Sequence, residues 1–203
     1  MKVSAAGEKW RATRPSEGAL WLSGVVAPWW VAGGWALDLF VGHQSRSHKD
    51  LDIGIFRRDA VQVLAALPSW EFFEAKDGEL TRLGLGEAPR PVVNSLWGRP
   101  KGATEWVLEL MLDECRDEHW VFRRDMRIQC PLSTAIQRSP EGIPFLAPEI
   151  QLLYKARATR VRDQLDFDHV APRLSAGARL WLRESLTIFD PHHGWLAPQP
   201  GDL

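Results

Sequence analysis

Asp50-Leu51-Asp52 is the segment whose residue types and spacing are best suited to chemistry. It opens the run Asp50-Leu-Asp-Ile-Gly-Ile-Phe56, and such alternation of polar and apolar residues is the pattern of a strand whose every second side chain shares a face. Asp50, Asp52 and Gly54 then point one way, while Leu51, Ile53 and Ile55 point into the core. Two carboxylates so spaced sit roughly 7 Å apart, close enough to bridge hard cations and to hold phosphates through them. Asp-x-Asp alone also describes two solvated acids on a half-exposed strand. Phosphoryl chemistry with two metal ions wants a third carboxylate from a neighbouring element. The alternating run Glu105–Asp113 offers one, because Trp106, Leu108, Leu110 and Leu112 form its apolar face and Glu109 sits in the middle of the other. Asp113 is the second choice there. Glu105 and Asp113 lie near the strand ends, where solvation is the simpler expectation.

Gly33-Gly34 falls at a strand-to-helix junction. Small residues at such a place let backbone amides approach a phosphate, and the helix that follows turns its positive end toward the anion. By itself the pair also describes a tight turn. Arg46 and His48 precede the aspartates on a polar loop at the expected edge of the site, so they are assigned to phosphate binding or loop ordering, with a solvated loop as the alternative. His192-His193 beside Pro191 is read as a polar turn.

The elements that must position these residues follow from periodicity and punctuation. A short helix is expected over Gly18–Val26, a buried strand over Pro28–Ala32, and a helix from Trp35 to about Val41 stopped by Gly42. A helix over Arg57–Leu67 ends at Pro68. Strand-like pieces are expected at Glu71–Glu74 and Pro91–Asn94, with hairpins formed by Trp120–Phe122 and Arg127–Cys130. The character changes near residue 145. Pro148 and Glu149 suit a helix start, giving helices over Pro148–Arg160, Arg162–Val170, and a last one capped by Ser175 and stopped by Pro191. The expectation is an α+β chain with two parts, residues 1–145 mixed and 146–203 helical.

The 203 residues carry 25 Lys plus Arg against 26 Asp plus Glu, a balance without the basic footprint of a nucleic-acid binder. Nucleic acid is therefore not an expected partner. Cys115 and Cys130 have neither metal-ligand spacing nor a disulfide framework, which fits a reducing compartment. No apolar run reaches the roughly 18 residues of a membrane span and residues 1–15 lack a signal-like apolar core, so a cytoplasmic protein without membrane partners is expected. Eleven Trp against one Tyr suggests aromatic packing and carries no function.

Two stretches, Ala32-Gly-Gly-Trp-Ala-Leu-Asp-Leu-Phe-Val-Gly42 and Arg46-Ser-His-Lys-Asp-Leu-Asp-Ile53, resemble the signature of the aminoglycoside 2''-adenylyltransferase and lincosamide nucleotidyltransferase relatives within the DNA polymerase beta superfamily. The resemblance continues through Leu108–Leu112, Trp120–Arg124 and Ile143–Lys155, and so covers most of the chain. It implies a polymerase beta-like nucleotidyltransferase fold, a mixed sheet flanked by helices with a small C-terminal helical part. It further implies two magnesium ions, ATP as the expected nucleotide, and transfer of AMP to a hydroxyl of an aminoglycoside or lincosamide.

Carried over by position, Gly33 and Gly34 would contact triphosphate, Asp50 and Asp52 would bind both metals, and Glu109 would complete a metal site, accept the hydroxyl proton, or both. Glutamate stands here where many superfamily members have aspartate. Lys155, followed by Asp163 and Asp166, resembles the family's lysine and would reach the triphosphate, with the aspartates either positioning it or forming a surface salt-bridge network. Glu105, Asp113, Glu114, Asp117 and Glu118 could give an aminoglycoside site its acidic character, or form a solvated hairpin. The competing readings are a nucleotidyltransferase toxin that modifies RNA or protein and a catalytically silent nucleotide-binding module. Oligomeric state is left open between monomer and homodimer.

Overall fold

Two parallel neighbours in the middle of one mixed sheet decide where the acidic residues fall. The structure is a computed structural model that describes residues 2–197. Its strands are β1 Lys2–Ser4, β2 Trp29–Val31, β3 Asp52–Phe56, β4 Trp70–Lys76, β5 Glu79–Arg82, β6 Ser95–Pro100, β7 Leu108–Arg116, β8 His119–Val121, β9 Gln129–Pro131, β10 Ile136–Arg138 and β11 Pro144–Leu146. Its helices are α1 Pro15–Trp21, α2 Gly33–Val41, α3 Ala60–Ala65, α4 Leu132–Ala135, α5 Pro148–Ala156, α6 Val161–Val170 and α7 Ala176–Phe189. The sheet order is β1-β5-β4-β6-β7-β3-β2-β11-β10, and β8 joins β7 to β9. This is an α+β fold with a central sheet, flanking helices and a helical C-terminal region.

β3 and β7 run parallel with Asp52 opposite Glu109 and Ile53 opposite Leu110. Strand alternation therefore sets the two acids side by side while Ile53, Ile55, Leu108, Leu110 and Leu112 enter the core fully buried. Each such side chain contributes about 1.5–3 kcal/mol of burial, which pins the register that aligns the acids. The opposite face does not stay open. Cross-strand Trp30 faces Gly54, and a methyl group on Gly54 would overlap the Trp30 indole. Phe56 is fully buried as well. The face that carries Asp52 becomes core two residues further along, so β3 presents its acid only at its N-terminal end.

The tryptophans serve packing. Trp30, Trp106 and Trp120 are among the largest fully buried side chains, and Trp10, Trp97 and Trp106 form edge-to-face pairs. Among the described residues no helix is long and apolar enough to cross a membrane.

Several elements differ from the sequence expectation. α1 starts at Pro15 rather than Gly18, because proline takes the first helical position, and exposed Val26 lies outside it. α2 begins at Gly33, not Trp35, and ends at Gly42 in the left-handed region as expected. β7 is shifted to Leu108–Arg116, leaving Glu105 exposed ahead of it. Pro91–Asn94 is no strand: Arg57 takes the Val93 carbonyl that a sheet ladder would use, at 2.8 Å, and also donates to the Asn94 side chain at 2.7 Å, and β6 starts just beyond. β10 and β11 were not expected. The helix expected to run from Pro148 to Arg160 stops at Ala156, and α6 starts at Val161. Of the expected C-terminal part 146–203, the last six residues lie outside the described residues.

Candidate metal and phosphate site

Asp50 lies in the bend just ahead of β3, Asp52 opens the strand, and Glu109 comes in from β7. All three are partly buried, and they offer carboxylate oxygens that lie within 4.8 Å of one another. Glu109 is held in place by the Ser95 hydroxyl, which donates to its Oε1 at 2.6 Å. Burial pushes the Asp52 carboxyl well above the usual carboxylate range, and the negative charges of Glu109 and Asp50 add to that push against Lys155 and Arg162. Burial raises Glu109 too, with Asp50 adding to it, against the Ser95 hydrogen bond and the positive field of Arg123. Three mutually repelling acids packed this closely form a donor set of hard oxygens, which suits a divalent cation such as magnesium.

The Gly33 turn completes the cradle. Gly33 has φ +65, and a methyl group there would overlap the Asp52 carboxylate. A methyl group on Gly34 would sit 2.5 Å from the Arg46 guanidinium and the His48 ring. The glycines thus clear the space between the start of α2 and the acids. The Gly33 N–H, expected to face phosphate, donates instead to Gln151 Oε1 of α5 at 2.7 Å. Gln151 was not singled out from sequence; its placement mid-helix among apolar neighbours was the available signal.

Arg46, His48 and Lys155 belong to one buried polar network behind this turn. Arg46 makes a two-pronged pair with Asp166, Nε to Oδ1 at 3.0 Å and Nη2 to Oδ2 at 3.1 Å. It also lies 3.2 Å from His48 Nδ1 through Nη1. Since a guanidinium only donates, Nδ1 accepts, and the His48 Nε2–H is directed at Asp38 Oδ2, 2.6 Å away. Burial works against ionised Asp38, but hydrogen bonds from His48 and Ser45 outweigh it and its carboxyl falls below the usual value. Lys155 Nζ is clamped between Asp163 Oδ1 at 3.0 Å and Asp166 Oδ2 at 2.8 Å. The two aspartates are therefore not a surface network. Their side chains are 1% and 7% exposed; on the loop, His48 is buried and Arg46 is 29% exposed.

Next to the acids lies a cleft of about 110 Å³ lined by Gly33, Asp52, Met111, Arg123, Gln151 and Tyr154 among others. Asp113, the second choice for the third carboxylate, cannot serve. It is buried, and accepts hydrogen bonds from Trp120 Nε1 at 3.1 Å and the Tyr154 hydroxyl at 2.8 Å. The acids offered either for an acceptor patch or as a solvated hairpin, Glu105 apart, lie further along β7 and in the turn after it. Glu114 pairs with Arg57 at 2.7 Å about 16 Å beyond Glu109 along β7, and Asp117 and Glu118 sit in the turn after β7. His193 accepts from the Trp195 amide at the start of a final turn, as the polar-turn reading expected.

The comparisons with known proteins agree with this geometry. The family model described as aminoglycoside-2''-adenylyltransferase matches residues 20–168. No curated protein matches the sequence. Among solved structures, lincomycin-bound LnuA, a lincosamide antibiotic adenylyltransferase, superposes with a TM-score of 0.55 at 15% identity, over 81% of this chain and 98% of its own. The solution structure of the antibiotic-resistance factor ANT(2'')-Ia gives 0.57 at 15% identity, covering 86% and 90%. ANT(2'')-Ia in complex with adenylyl-2''-tobramycin gives 0.53 at 14%, covering 84% and 93%. At such identities the structures speak for the fold, a nucleotidyltransferase-like one that carries an acidic cluster able to hold a metal ion. The family match spans most of the chain and contains all three acids together with the Gly33 turn, and by it the chain belongs to the aminoglycoside-2''-adenylyltransferase family.

Proposed function

We propose that this protein is a magnesium-dependent nucleotidyltransferase that moves AMP from ATP to a hydroxyl group of a small molecule, an aminoglycoside or a lincosamide. The observation that carries the reading is the convergence of Asp50, Asp52 and Glu109 beside the Gly33 turn. Asp50, Asp52 and Glu109 would hold the divalent ions, which supply neutralisation of phosphate charge and acidification of a bound hydroxyl. In the reaction the acceptor oxygen bonds to the α-phosphorus, the bond from that phosphorus to the bridging oxygen breaks, and pyrophosphate leaves. Glu109 serves as metal ligand, as acceptor of the hydroxyl proton, or as both. The Ser95 hydroxyl fixes its Oε1.

Gly33 and Gly34 keep the carboxylates and phosphates within reach. Arg46 and His48 act from behind, bracing the start of α2. Lys155 is bound on two sides by aspartates of α6, so its part is to fix α5, which carries Gln151, to α6. With a division near residue 145, the cleft would be lined by Asp52 from the mixed part and by Gln151 and Tyr154 from the helical part. The acceptor class rests on the neighbours, one solved with lincomycin and one with an adenylylated tobramycin.

The test is pyrophosphate release from ATP, GTP, CTP and UTP with magnesium across a panel of aminoglycosides and lincosamides. Release that requires one acceptor and one nucleotide, and that disappears in Asp52→Asn with the fold retained, is the expected result. Silence across the whole panel would sink the small-molecule reading.

A further inference from the structure

Burial sets Arg123 apart from the other cations around the site, since Arg162, whose field also reaches Asp52, is exposed. Arg46 and Lys155 are spoken for by Asp166 and Asp163, and Arg124 donates to the Tyr154 carbonyl at 2.7 Å. Arg123, in the turn between β8 and β9, has neither a hydrogen bond nor an ion pair from its guanidinium among the described residues, although its Nη1 is buried. Leaving a buried charged donor unmet costs about 1–3 kcal/mol or more, and the like charge of Arg124 beside it adds to that cost. A fold keeps such a group where something outside the chain completes it.

We propose that Arg123 is the residue that binds the polyphosphate of the nucleotide, and the pyrophosphate that leaves, in the cleft that Gly33 and Asp52 also line. This assignment rests on the nucleotidyltransferase reading and adds a residue to it. Four observations place the group. Arg123 and Asp52 line the same small cleft, with Gly33 and Gln151. The guanidinium lies 5.3 Å from the centre of the Tyr154 ring, and that ring is itself fixed by the hydroxyl bond to Asp113, so the cation is held at a set place without being neutralised. Its positive field reaches Glu109, which puts it within electrostatic range of the metal site. Asp113, which also feels the positive field of Arg123, takes its hydrogen bonds from Trp120 and Tyr154 instead. A guanidinium fork matches phosphate oxygens in pairs. The cleft thereby has a carboxylate end for the cation and an arginine wall for the anion of a metal–nucleotide complex.

Titration of the protein with magnesium pyrophosphate and with a magnesium complex of a non-hydrolysable ATP analogue tests this directly. Arg123→Gln and Arg123→Met are expected to weaken both ligands about tenfold or more, while manganese binding to the carboxylates stays close to wild type and Arg123→Lys recovers part of the loss. A folded Gln or Met variant that binds magnesium pyrophosphate as tightly as wild type overturns the assignment. A second measurement needs no variant. Magnesium pyrophosphate should protect Arg123 of the wild-type protein from phenylglyoxal modification mapped by mass spectrometry, and absence of protection with the ligand bound overturns the assignment equally. If the wild-type protein binds neither pyrophosphate nor any nucleoside triphosphate, it is the nucleotidyltransferase reading that has failed, and the Arg123 assignment falls with it.

Discussion

At the scale of single residues, the site depends on atoms that are missing as much as on those present. Gly33 has a left-handed backbone and no room for a Cβ, because the Asp52 carboxylate occupies that space. Gly33→Ala must both hold an unfavourable φ, at a cost of about 1–2 kcal/mol, and move either Asp52 or the start of α2. The expected outcome is a folded protein with a modestly lower melting temperature and a loss of turnover of about a hundredfold, since a displacement near 1 Å at a reacting group is enough for that. Manganese binding measured alongside should weaken. Wild-type metal affinity and turnover in Gly33→Ala would remove the turn from the site. The glycine pair was legible in the sequence as a strand-to-helix turn, yet the particular atom it avoids was not, because Asp52 reaches Gly33 through sheet pairing. Arg123 went unassigned for a related reason: an arginine in a sequence gives no sign of whether its partner is present.

At the scale of elements, α5, α6 and the loop after α2 are joined by the charged cluster of Arg46, Lys155, Asp163 and Asp166, and the cluster makes a separate prediction. Burial opposes ionised Asp163, but hydrogen bonds from Arg160 and Lys155 prevail and hold its carboxyl well below the usual range. A depressed carboxylate pKa contributes stability at pH above the unfolded-state value of about 3.9, and that stability is lost as pH falls toward the folded-state value. Asp163→Ala leaves Lys155 buried with one partner fewer, which costs about 3–5 kcal/mol. In urea unfolding the difference from wild type should be constant from pH 8 to pH 5 and shrink below pH 4. A difference that does not change with pH would mean that the aspartate stabilises by shape and not by charge. The spacing of Asp163 and Asp166 on one helical face was visible in the sequence, but their burial was not. Similarly, α2 with its Gly42 stop and β3 with its alternation are written in local pattern. β10 and β11 are three residues each and owe their existence to partners elsewhere, Phe145 pairing with Val31 across more than a hundred residues. The Val92-Val93 pair imitated a strand, although Val93 is buried in a loop whose carbonyl is taken by Arg57. Asp77-Gly78, both at positive φ between β4 and β5, is a hairpin turn that its dipeptide announces.

At the scale of the whole molecule, a net charge of −1 conceals a local separation of sign, with Asp52 of the three-acid cluster and the pair Arg123 and Arg124 lining one cleft. The acids form a destabilising arrangement without a cation. An acid whose folded-state pKa is raised, as burial and its neighbours raise that of Asp52, costs the fold nothing when both states are protonated, and an increasing amount as pH climbs from about 4 toward the folded value. A divalent ion on the carboxylates removes that cost. Magnesium or manganese should therefore raise the melting temperature at pH 7.5, with a gain that shrinks as pH is lowered toward 5 and protons compete for the same oxygens. Asp52→Asn should separate the two roles: without metal it should melt higher than wild type at pH 7.5, it should respond weakly to added cation, and it should not turn over. Thermal melts of both proteins, in chelator and in millimolar magnesium at the two pH values, decide the matter. An Asp52→Asn protein that melts below the chelated wild type would mean that this carboxylate holds the fold together, and that the strain attributed to the acidic cluster is not there.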